Sequence, residues 1–93
     1  MNYVLITHEV DDYSVWKVGF DEASGLRKQA GEIEFQVLRF EDDPNKVIHL
    51  SKWQSLEQAR NFFESDKVKE IRKKLGVKDP EFAYLCQLGK GVL

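Results

Sequence analysis

Histidine is the side chain whose ordinary pKa places its charge change near neutral pH, and the chain contains two, His8 and His49. His8 belongs to the alternating set Val4, Ile6, His8, Val10, an otherwise aliphatic strand face. An imidazole there is a candidate general base with a pKa lowered by burial; the alternative is a structural histidine held by a backbone carbonyl or a Tyr hydroxyl. His49 lies in a second alternating run, 46–53, and two histidines invite a metal. A metal site needs a third ligand, however, and Glu9 points away from His8, so no metal is expected. Trp16, Trp53 and Phe62 suit either the walls of a pocket for a flat organic ligand or a plain core, an ambiguity that Phe20 and Tyr84 share. Tyr13 opens a helix, where its hydroxyl is placed to meet His8 or a ligand. Arg72 is either a pocket cation for an anionic substrate or a solvated helix residue. Cys86, the single cysteine, reads as an inert buried thiol, since no helix N-terminus or assigned cation lowers its pKa. Glycine-rich phosphate loops, Ser-His-Asp sets and paired catalytic carboxylates are not evident.

The elements that must position these groups are marked by periodicity and caps. Residues 2–10 alternate as a strand, apolar on both faces at the start, which suits a central strand covered on both sides. Asp12 is the expected N-cap of a helix over about 13–30, whose stripe runs Tyr13, Trp16, Phe20, Ala23, Leu26, Ala30 and ends at Gly31. Residues 32–41 return as a strand with Ile33, Phe35 and Val37 on one face. Asp42-Asp43-Pro44-Asn45 turns the chain into a third strand over 46–53, giving a hairpin. Ser55 and Gln58 form a capping box for a second helix, with a break and new cap at Ser65-Asp66. Gly76 ends that helix, Pro80 prevents its resumption, and Phe82 to Leu88 is the last strand.

The order β-α-β-β-α-β is the split βαβ, or ferredoxin-like, plan: a four-stranded antiparallel sheet with both helices on one face. Ninety-three residues suit one domain, 1–93. The opposite sheet face still carries aliphatic and aromatic residues and would leave a large exposed patch. A second copy packed sheet against sheet covers it, so a homodimer through that face is expected. With 42% hydrophobic residues the chain is not disordered. Net charge is −2 with signs interspersed, which excludes a broad basic field for nucleic acid. No apolar run approaches the roughly 20 residues of a membrane helix, and no signal segment is evident. A lone cysteine fits a reducing compartment, so a cytoplasmic location is expected.

The opening His8-Glu9-Val10-Asp11-Asp12-Tyr13-Ser14-Val15-Trp16 resembles the dimeric α/β-barrel superfamily, which includes antibiotic-biosynthesis monooxygenase-like domains. Lys52-Trp53-Gln54-Ser55 through Phe62-Phe63-Glu64-Ser65-Asp66 to Lys69 is similar to the third strand and second helix of that group. The resemblance implies a dimeric α/β barrel. It also implies a range of activities: cofactor-free quinone-forming oxygenation, haem degradation and isomerisation. The haem-degrading branch carries an Asn late in the first strand, then a Trp and a His ligand in the second helix. Here those positions align near Thr7 or His8, at Phe62 and at Arg72. Arginine does not replace imidazole as an iron ligand, so haem degradation is not expected. Two readings follow. One is a small-molecule enzyme resembling cofactor-independent monooxygenases, with no cofactor, His8 as base, and Tyr13, Trp16, His49, Trp53, Phe62 and Arg72 around a small apolar or aromatic substrate. The other is a non-catalytic ligand-binding or stress-associated dimer.

Overall fold

The computed structural model describes residues 1–93. In chain order the elements are β1 (Asn2–Val10), α1 (Tyr13–Glu22), α2 (Ser24–Ala30), β2 (Glu32–Phe40), β3 (Asp43–Trp53), α3 (Leu56–Phe63), α4 (Asp66–Lys74) and β4 (Val77–Cys86). The strands form one antiparallel sheet in the order β2-β3-β1-β4. This is the α+β, ferredoxin-like arrangement expected from the sequence. No helix is long and apolar enough to cross a membrane.

Local chemistry explains the helix ends. The Asp12 carboxylate accepts from the amides of Ser14 and Val15, so α1 starts where the free N–H groups find a side-chain oxygen. Ser55 accepts from the Gln58 amide at 3.1 Å and donates to the Gln58 side chain at 3.0 Å, a reciprocal cap. Ser65 accepts from the Val68 amide and donates back to the Phe62 carbonyl, which closes α3 and opens α4 in one turn. Gly31 (φ 122°) and Gly76 (φ 74°) end α2 and α4 in backbone conformations that side chains resist.

Three expectations are corrected. The stripe over 13–30 is not one helix: it breaks at Ala23 and restarts at Ser24, with Arg27 buried on the second segment. The last strand begins at Val77 instead of Phe82 and ends before Leu88, because β4 is an edge strand in which Pro80 costs no ladder bond. Cys86 is exposed, as the last residue of that edge strand.

The helix-facing rows of the sheet hold the core. Val4, Ile6, Trp53, Ala59, Phe63 and Val68 form one buried cluster beneath α3 and α4, while Val10, Trp16, Phe20 and Val47 form another beneath α1. His8 and His49, 5% and 3% exposed, lie buried on the same sheet face, on the two central strands. The opposite face is an open apolar band. The register lines up Gln36, Leu50, Leu5 and Ala83 in one row, and Leu38, Ile48, Thr7 and Glu81 in the next. Leu38 and Leu85 on this face stay 46% and 41% exposed.

Candidate functional site

Between helices and sheet lies an apolar cavity of about 70 Å³, partly open to solvent. Ten of its fifteen lining residues are hydrophobic. The polar exceptions that matter are His8, His49, Arg27 and Arg72, and no carboxylate lines it.

His8 stands where the β1–β4 ladder breaks register between Thr7 and Glu9, opposite the bulge that contains Asp79 and Pro80. Its other strand neighbour is Val47. The extra residue lies in β4, so His8 keeps the helix-facing alternation of Val4, Ile6 and Val10 along β1. That alternation sets the imidazole against Trp16, ring centroids 5.1 Å apart, with neither nitrogen hydrogen-bonded. Burial is the main reason its pKa falls from 6.5 to about 4; the positive potentials of His49 and Arg72 add to it. At neutral pH the ring is therefore uncharged, with one nitrogen free to accept a proton.

His49 is differently engaged. Its Nε2 is 2.8 Å from Glu32 Oε2, and Arg27 Nε donates to Glu32 Oε1 at 2.8 Å. With Glu32 as a carboxylate, Nε2 must carry the proton and donate. All three side chains are no more than 6% exposed, so the charges are compensated within the cluster. The bulge between Glu32 and Glu34 puts Glu32 on the helix-facing side, opposite Trp53. Arg27 also donates through Nη1 to the Phe20 carbonyl and stacks over the Phe20 ring, 3.7 Å from guanidinium carbon to centroid. Its Nη2 is buried without an acceptor. Trp16 and Phe20, one turn apart on α1, stack at 4.8 Å and form a continuous wall from His8 to Arg27.

Arg72, on α4, donates through Nη1 to the Phe63 carbonyl at 3.0 Å and rests over Phe82. Burial lowers its pKa, with a small opposing influence from Tyr84. It forms no ion pair with any carboxylate.

Of the residues singled out in the sequence, His8, Trp16, His49, Phe62 and Arg72 line this cavity together. Trp53 does not: it is wholly buried in the core, its indole N–H donating to Ser51 at 2.7 Å. Tyr13 also lies outside the lining and packs on Trp16, with Arg39 over its ring; its hydroxyl makes no bond to His8. Arg27 and Glu32 were missed by periodicity. The available signal was Arg27 at seven residues from Phe20 and four from Ala23, hence on the buried stripe. No group of three or more His, Cys, Asp or Glu side chains is arranged to hold a metal ion.

Solved structures place this architecture among known ones. The cofactor-independent oxygenase SnoaB from Streptomyces nogalater superposes with a TM-score of 0.78 at 12% identity, covering 96% of this chain and 94% of that one. A monooxygenase from the gene ActVA-Orf6 of Streptomyces coelicolor, solved with nanaomycin D, gives 0.67 at 17% identity, covering 99% and 91%. At such identities the likeness establishes the fold alone. No curated protein sequence matches the chain. Residues 18–74, more than half of the sequence, match the profile described as "Antibiotic biosynthesis monooxygenase", and this chain belongs to the antibiotic biosynthesis monooxygenase family.

Proposed function

We propose that the protein is a cofactor-independent oxygenase acting on a small, electron-rich aromatic or enolisable substrate, with His8 as the base. The observation that carries this reading is His8 itself. A buried neutral imidazole with both nitrogens unpartnered is placed at the end of an aromatic wall inside an apolar cavity. A buried polar group left unsatisfied costs about 1–3 kcal/mol, a cost a ligand with a matching donor and acceptor would remove. Family membership supports the reaction class.

In this scheme His8 takes the acidic proton of the substrate, and cationic neighbours stabilise the developing enolate or phenolate in a water-poor site. The carbanion gives its electrons to dioxygen and forms a carbon–oxygen bond. His8 returns its proton to the terminal oxygen of the peroxide and is neutral again. It then takes the second proton from carbon as the C=O bond forms and the O–O bond breaks, and the hydroxide that leaves takes that proton from His8 and departs as water. In net terms a methylene carbon and one dioxygen become a carbonyl and one water. The Glu32 carboxylate holds His49 and Arg27 in place along the wall. The cavity's 70 Å³ is less than the roughly 150 Å³ that encloses benzene, so an aromatic substrate enters it in part and extends through the open side.

The chain, acting as one domain, pairs with a second copy through the open sheet face, whose Leu5, Leu38, Ile48, Leu50 and Leu85 form a band that water would otherwise cover. The lone exposed Cys86 suits a reducing cytoplasm. The enzymatic reading is tested with anthrone, a carbon acid oxidised to anthraquinone. In chelator-treated buffer, dioxygen uptake above the spontaneous rate and its loss in His8→Leu support it. Uptake that His8→Leu leaves intact removes His8 as the base.

A further inference from the structure

The cavity has an unbalanced charge. Arg27 is neutralised from behind by Glu32, which does not line the cavity. Arg72 has no such partner: its contacts are a backbone carbonyl and the face of Phe82. One uncompensated cation therefore faces a largely apolar chamber that contains no carboxylate. Arg72 is only partly buried, and on that side an anion would pair with it where the apolar lining cannot.

The donors are also separated. Arg72 packs against Phe63 and Phe82, toward the β4 side of the sheet, whereas Arg27 contacts Phe20 and Phe35, over β2. Arg27 Nη2, on a side chain 4% exposed, has no acceptor, and His8, 5% exposed, offers a donor and an acceptor to nothing in the protein. We infer that the site takes a planar aromatic monoanion: a carboxylate pairs with Arg72, and an oxygen at the far end of the ring accepts from Arg27 Nη2. This names the substrate class of the site proposed above and rests on its being a ligand pocket, though not on its chemistry. It divides the labour of the two arginines. Arg72 anchors an anion remote from the reaction, and Arg27 stabilises the oxygen conjugated to the reacting carbon.

The test uses para-hydroxybenzoate, which carries the two groups at opposite ends of a single ring, and its neutral amide, para-hydroxybenzamide. Binding to the full-length protein is measured calorimetrically without dioxygen turnover. The acid is expected to bind at least about tenfold more tightly than the amide, a difference of roughly 1.4 kcal/mol. Arg72→Gln brings acid and amide to equal affinity, and an unchanged far-UV circular dichroism spectrum and urea midpoint show that the variant is folded. Equal affinity for acid and amide in the wild-type protein overturns the inference, as does a preference that survives Arg72→Gln, or no binding of either compound at millimolar concentration. The wild-type comparison decides the matter even if the variant fails to fold. Selective binding by a protein that never consumes dioxygen would retain the anion site and discard the oxygenase. Turnover of neutral substrates with no acid preference would do the reverse.

Discussion

Replacing His8 by Leu should flatten the acid limb of the stability curve. His8 titrates near 6.5 when unfolded and about 4 when folded, because the folded protein buries the ring and surrounds it with the positive potentials of His49 and Arg72. The folded pKa is the lower one, so between these values the unfolded chain binds the extra proton. Above pH 6.5 both states are neutral and the residue contributes no pH dependence. As pH falls toward 4 the protein loses stability, at up to about 1.4 kcal/mol per unit. The loss attributable to His8 is about 2 kcal/mol at pH 5 and approaches about 3 kcal/mol below pH 4. Leucine has similar bulk, and since neither imidazole nitrogen is hydrogen-bonded, no protein partner is orphaned by the change. The assay is urea denaturation of both proteins at pH 7.5, 6 and 5, with the difference between them read at each pH; background carboxylate titration cancels in that difference. His8→Leu should gain on the wild type by about 2 kcal/mol between pH 7.5 and 5. Parallel curves would refute the placement of a neutral, unpartnered imidazole at this point in the core.

Three other perturbations test separate parts of the structure. Glu32→Gln leaves the Arg27 guanidinium buried without its counter-ion, and should cost roughly 3 kcal/mol in denaturant titration. Leu50→Asp places a charge in the centre of the open sheet face, beside Leu5, and should convert a dimer to a monomer in sedimentation equilibrium at micromolar concentration; a wild-type monomer there would refute the dimer outright. Gly31→Ala forces a side chain into φ 122° with Gln58 atoms 3.2 Å from its Cβ, and should lower stability by about 1–2 kcal/mol without altering ligand binding.

Much of this architecture was legible in the sequence because it is written in local terms. Asp12, Ser55 and Ser65 cap helices through bonds spanning two or three residues, and alternation assigns Val4, Ile6, His8 and Val10 to one face whatever the rest of the chain does. What escaped depends on charge and on an interruption of those periods. Arg27 falls on the apolar stripe by spacing, and its charge alone argues against burial; a bulge beside Ile33 turns its partner Glu32 toward the helices. The bulge brings Glu32 to the side where alternation expects none, and there it completes the Arg27-Glu32-His49 cluster. Trp53 shows the complementary limit. Its position in a strand was clear, yet only the contact with Ser51 separates a core indole from a pocket wall. The early start of β4 was hidden for a similar reason, since Pro80 reads as a strand breaker unless the strand is known to lie at an edge.

If the cavity runs oxygen chemistry with the protein's own side chains, dioxygen uptake in chelator-treated buffer reports it without any added cofactor. With anthrone as substrate, the wild-type protein should consume one dioxygen per anthraquinone formed, faster than the uncatalysed reaction, and His8→Leu should fall to the background rate while retaining its fold. Uptake no faster than background in the wild-type protein, or equal rates in the two proteins, would contradict the account.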